Sequence, residues 1–190
     1  MRVSKEAAQQ SRGRIVAVSS RLFRERGIDG IGVVDLMHAA GFTHGGFYKH
    51  FESKEALAAE ACALAFADLE KRRWSRLLAG GDDAVSPVKR FAEGYLSQRH
   101  RDNPGTGCPL PALGADASRH EPALRSAFTE GVNSLADLLA RCLPGRQKKA
   151  RRNKALAILA CLAGALTLAR AVDDEELSAE ILQAVFHSID

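Results

Sequence analysis

Two short helix-forming stretches, residues 33–40 and 43–51, lie end to end with Gly41 and Phe42 between them. Helices this short are marginal in water, so each keeps its shape only when pressed against longer neighbours. No other feature restricts the fold of this 190-residue chain as much. Suitable neighbours are present on both sides. Ser4 can cap a helix starting at Lys5, in which Ile15, Val18, Leu22 and Arg26 follow at helical spacing until Gly27 stops it. Residues 28–32 make a tight connection. Ser53, with Ala56 and Leu57 behind it, opens a helix to about Leu78, where Gly80 and Gly81 end it.

The remainder reads as helices too. Ser86 and Pro87 pair as N-cap and first turn of a segment reaching about Arg99. Residues 103–111, rich in glycine and proline, form a turn-rich connection. Glu121-Pro122 leads into an amphipathic segment through Leu143, which Pro144-Gly145 stops, and two last helices occupy about 147–172 and 174–189. No alternating strand pattern occurs. The expected fold is all-α: an N-terminal three-helix unit holding the short pair, then a C-terminal helical bundle. The division falls at about residue 70, giving units of 9–69 and 70–190.

Composition narrows the class. Of the residues 46% are apolar and 6% aromatic, which suits a helical protein with an ample core. The longest apolar run, 155–169, is bounded by Lys154 and Arg170 and falls short of a membrane span. Residues 1–14 carry charges with no apolar stretch behind them, unlike a signal peptide. Cys62, Cys108, Cys142 and Cys161 lack C-x-x-C spacing, so free thiols in a reducing cytoplasm are expected. His100, His120 and His187 are too scattered for a metal site. No Ser/His/Asp set, phosphate-cradling glycine loop or paired acids point to catalysis or a cofactor.

The charge is localised. Residues 1–54 hold nine Lys or Arg against five acids, whereas residues 55–190 hold 18 of each, so the whole formal excess of +4 lies in the first third. That is the footprint of a phosphate-backbone partner. The second short stretch offers matching chemistry. Thr43, Tyr48, Lys49 and His50 can donate to phosphates, and Gly45 and Gly46 would let a helix approach closely, in a major groove wide enough for one helix. Phe47 and Phe51, four apart, pack inward.

This stretch resembles the TetR family of bacterial regulators. The resemblance covers about residues 9–69 and rests on Leu22-Phe23-Arg24-Glu25-Arg26-Gly27, on residues 34–42 (Val-Asp-Leu-Met-His-Ala-Ala-Gly-Phe), and on residues 43–57, above all Tyr48-x-His50-Phe51-x-Ser53-Lys54-x-x-Leu57. It implies that 33–52 form a helix-turn-helix. Thr43, His44, Tyr48, Lys49 and His50 then fall at DNA-contact positions, beside Gly45, and Lys54 at a phosphate-contact position. His44 departs from the longer side chains common there. The resemblance also implies a homodimer through the last two helices, a double-stranded operator and a small-molecule effector that weakens DNA binding. Wide apolar stripes on 147–172 and 174–189 agree with pairing of protomers, and a two-fold dimer calls for a palindromic operator.

The effector site is less constrained. Phe66, Phe91, Tyr95, Phe128, Leu135 and Leu162 lie on helices that would surround a cavity, although aromatics at helical spacing also build cores. Cys108, in a Gly-Thr-Gly-Cys-Pro loop, is a candidate redox or electrophile sensor, or simply a packed cysteine. Residues 146–154 hold six basic side chains, read as a solvated loop and first helical turn. Trp74 reads as a cover at a helix end. The alternative to a regulator is a small-molecule-binding helical protein with an inactive helix-turn-helix.

Overall fold

The computed structural model describes residues 5–71 and 86–189, which are helical with no strand among them. Trp74, the Ser4 cap and the Gly80-Gly81 stop lie outside the described residues.

The head comprises α1 (Lys5–Arg26), α2 (Val33–Ala39), a 3₁₀-helix (His44–Lys49) and the start of α3 (Lys54–Leu69). α1 buries Ile15, Val16, Leu22 and Phe23, while Arg26 is exposed. It stops at Gly27, whose φ of +75° is a left-handed turn that glycine adopts without strain. Gly41 (φ +81°) ends α2 in the same way, with its N–H on the His38 oxygen and the next N–H, of Phe42, on the Met37 oxygen. Ser53 caps α3, its Oγ accepting the Ala56 N–H at 3.1 Å.

The body comprises α4 (Pro87–Tyr95), α5 (Gln98–Asp102), a 3₁₀ turn (Pro104–Thr106), α6 (Pro109–Arg119), α7 (Pro122–Cys142), α8 (Lys148–Ala171) and α9 (Glu175–Ser188). The single helix expected up to Arg99 is instead two. Ser97 breaks it, donating back to the Gly94 oxygen (2.9 Å) and accepting the His100 N–H (3.3 Å) as cap of the next helix. α3 ties head to body because it packs on both. Ser20 of α1 donates to the Ala61 oxygen at 2.8 Å. Further along, Phe66 fits over Gly131 of α7 and meets Phe128 edge-on at 5.5 Å between centroids.

By length and composition alone α8 is long and apolar enough to cross a membrane, a test that the core helix of a folded bundle passes as well. One face of it supplies core residues Ala155, Leu159, Leu162 and Leu166. The opposite face carries Leu156, Gly164 and Leu168, the last 57% exposed.

Candidate nucleic-acid interface

The second short stretch is 3₁₀ rather than α-helical. Consecutive glycines are poor α-helix formers, so the tighter turn is adopted. Gly46 N–H bonds to the Thr43 oxygen at 3.0 Å and His50 N–H to the Phe47 oxygen at 2.9 Å. Thr43, the residue before this turn, could cap it but makes no side-chain cap bond and lies exposed at the surface.

What fixes the segment is its underside. Phe47 is 1% exposed and stacks tilted on Phe51, 5.7 Å between ring centroids. Tyr48 meets the Phe47 ring edge-on at 5.2 Å and is itself 69% exposed, so its hydroxyl projects from a braced ring. Thr43, His44, Gly45 and Lys49 are exposed with it, and His50 and Lys54 are partly so. The seven residues expected to meet DNA therefore lie on one short stretch of surface and the adjoining helix start.

Arg12 and Arg14 of α1, counted above among charges for a phosphate partner, serve the fold. Arg12 forms a two-pronged ion pair with the Glu60 carboxylate, which favours its charged form and raises its pKa. Its Nε also donates to the His50 oxygen at 3.3 Å, and its guanidinium lies 4.6 Å from the Phe51 ring centre. Arg14 sits 6.0 Å from the Phe42 ring centre. These cations clamp the end and the turn of the short pair. Local patterning gave no sign of this, since Glu60 is 48 residues from Arg12.

Gly45 has no neighbour within 4 Å of where a Cβ would stand. Gly45→Ala should therefore leave thermal stability unchanged or raised, because alanine loses less backbone freedom on folding. If the bare backbone serves close approach to DNA, the same variant should lose at least about tenfold in operator affinity, measured by fluorescence anisotropy. Unchanged affinity would remove Gly45 from the interface.

Besides α3, the loop at 105–107 and helix α6 hold the body to the head. Arg24, 9% exposed, donates to the Ser20 oxygen (3.0 Å) and, across the junction, to the Gly107 oxygen (2.9 Å). Asp116 of α6 accepts the Ile28 N–H at 2.9 Å. His100 braces the loop behind Gly107. Its Nδ1 lies 2.6 Å from the Tyr95 oxygen, while Nε2 accepts the Cys108 N–H at 2.9 Å, an arrangement that selects the neutral, Nδ1-protonated ring. A cleft of about 220 Å³ opens here between α1, α3 and residues 105–107.

The residues suggested for an effector site are placed in the core. Phe66, Phe91, Tyr95, Cys108, Leu135 and Leu162 are buried, and Phe128 is partly buried. They fall into groups: Phe66 with Phe128 over Gly131, and Phe91 with Tyr95, whose ring meets His100 at 4.7 Å. Cys108 caps the start of α6 with its side chain fully enclosed. Burial pushes the neighbouring Cys62 thiol up to about 12, so it stays protonated at any ordinary pH. Iodoacetamide at pH 8 should leave Cys62 and Cys108 unmodified in the native protein and label both after denaturation. Rapid native labelling of Cys108, read by mass spectrometry, would contradict this packing.

Comparison with known proteins decides the family. The model for bacterial regulatory proteins of the tetR family matches residues 15–61. That for the C-terminal domain of LmrA/YxaF-like transcriptional regulators matches residues 84–183, more than half of the chain. The chain belongs to the TetR family. Relatives of this TetR-family regulator include the transcriptional repressor DhaR of a Mycobacterium species, 26% identical over 94% of this chain and 91% of that one. The Escherichia coli repressor NemR is 25% identical over 74% of this chain and 71% of its own length. The crystal structure of reduced E. coli NemR superimposes with a TM-score of 0.79, covering 95% of each chain at 22% identity. A TetR regulator from Chloroflexus aurantiacus, 26% identical, gives 0.76 over 97% of this chain and 96% of its own. The all-helical fold, with a helix-turn-helix head and helical body, is thus the family's, and the protein is a DNA-binding transcriptional regulator.

Proposed function

We propose that this TetR-family protein is a homodimeric repressor that occupies a palindromic operator through Thr43, His44, Gly45, Tyr48, Lys49 and His50, with Lys54 on a phosphate, and lets go when a small molecule binds the body. The observation that carries this reading is the division of labour at 43–51. Phe47 and Phe51 are anchored and Arg12 is engaged inward, while the polar and basic side chains of the same turn project together from a rigid base. A preorganised surface of this kind loses little entropy on binding DNA.

In this reading the head is residues 9–69 and the body 70–190, a division that falls at the end of α3. The protomers pair through about 147–172 and 174–189. The outward face of α8, with small Gly164 between Leu156 and Leu168, supports that assignment, as does Leu177 of α9, 42% exposed. An effector parting the packed side chains around Phe66, Phe91, Tyr95, Phe128, Leu135 and Leu162 would act on the head through the Arg24–Gly107 and Asp116–Ile28 bonds. The protein so described works in the cytoplasm as a binding protein, with no catalytic group, metal or cofactor.

Gly164→Arg places a charge in the proposed seam at a position open to solvent in the single chain. Sedimentation should find monomers, and operator affinity should fall at least about 100-fold because one head cannot hold two half-sites. A dimer with undiminished affinity would refute the proposed seam.

A further inference from the structure

The basic run at 146–154 plays no part in the DNA-reading surface. α7 starts beside the head, where His120 just before it faces Asp29 at 3.4 Å, and its 21 residues carry the chain about 30 Å away. α8 returns toward the junction, and Arg170 in its last turn donates to the backbone oxygens of His100 (2.7 Å) and Arg101 (2.9 Å). The loop joining the two helices therefore lies at the pole opposite the head.

At that pole the helix start breaks an electrostatic rule. Acids are favoured in the first turn, where the unpaired N–H groups leave partial positive charge. α8 has no acid there and no side-chain cap from Gln147, and it begins Lys148-Lys149. Arg152 is engaged by Asp137 and Asn133, each at 2.5 Å. Arg146, Arg151 and Lys154 instead line a cavity of about 290 Å³, walled by Leu143 and Pro144 and turned by Gly145 at φ +110°. The Nε of Arg151 is sealed from solvent with no hydrogen-bond partner among the described residues. A buried guanidinium nitrogen without an acceptor is an arrangement native proteins ordinarily avoid.

We propose that this cavity binds the phosphate or diphosphate group of a small molecule. Three cations border it, and an oxyanion drawing the Arg151 fork toward it would supply the missing acceptor in the two-pronged geometry that guanidinium groups favour. Unpaired N–H groups at the start of α8 add to the same field. A concave site with an apolar wall suits a small ligand better than a nucleic acid or an acidic protein. The proposal does not depend on how the head reads DNA.

Calorimetric titration of the full-length protein with sodium pyrophosphate, orthophosphate and ADP, at constant ionic strength, tests it. Saturable binding by pyrophosphate or ADP is expected, weakened at least tenfold in R151Q/K154Q. R125Q, near the other end of α7, should bind as the wild type does. Tighter binding of ADP than of orthophosphate would mark an organic phosphate as the ligand, and equal binding would mark free phosphate. If R151Q/K154Q lowers the Tm, exposed Arg146 of the same cavity lining provides the substitute R146Q, with the same tenfold weakening expected. Heat that never saturates, or equal binding by wild type and the cavity variants, overturns the proposal.

Discussion

Replacing Tyr48 and Lys49 together by alanine is expected to lower operator affinity at least about 100-fold while leaving the Tm within about 2 °C of wild type. Each lost contact to a base edge or phosphate is worth about 1–3 kcal/mol. Both side chains are exposed and the hidden anchors beside them, Phe47 and Phe51, are untouched, so the fold has little to lose. The two losses should differ in kind. Lys49→Ala removes a counterion-releasing charge from each protomer and should flatten the dependence of log affinity on log salt by about one per head. Tyr48→Ala removes no charge and should leave that slope alone. Affinities measured from 50 to 200 mM salt separate the two. Equal affinity of the double variant and the wild type would mean that DNA is read elsewhere.

The second large effect concerns the bridge between head and body. Gly131→Leu should lower the Tm by about 6–12 °C. A Cβ at Gly131 would run into the ring of Phe66, which is 4% exposed and already packed on Phe128, so the ring has no empty space to enter. Overpacking of such a core costs about 1–3 kcal/mol, with the larger leucine at the upper end, and a domain of this size loses about 2–4 °C per kcal/mol. Phe66→Leu added to Gly131→Leu should restore part of the loss, because volume taken from one helix is returned to the other. A Tm within 2 °C of wild type for Gly131→Leu would show that α3 and α7 do not meet as described.

The residues of the head were largely legible because their signals are local. Ser53, Gly27 and Gly41 punctuate helices through their own backbone preferences, and the spacing of Phe47 and Phe51 separates inside from outside within one turn. The 3₁₀ form of residues 44–49 is hidden by helical periodicity, which does not register the low α-propensity of two adjacent glycines. The break at Ser97 is hidden in a similar way, since a serine inside an apolar pattern gives no notice that it will cap. The work done by Arg12, Arg24 and Gly131 was invisible for a different cause. Their partners Glu60, Gly107 and Phe66 lie 48, 83 and 65 positions away, and no periodicity connects residues so far apart. Candidate effector residues were recognisable only as apolar and helical, which describes a packed core and a ligand-lined cavity equally well.

Whether a pair of 33–52 units reads DNA symmetrically is tested by selecting ligands for the full-length protein from a random pool of double-stranded DNA. Symmetric reading gives a palindromic consensus whose half-sites are separated so that two heads meet one face of the duplex, and no consensus at all with the Tyr48→Ala/Lys49→Ala variant. An asymmetric consensus, or the same consensus from that variant, would contradict it.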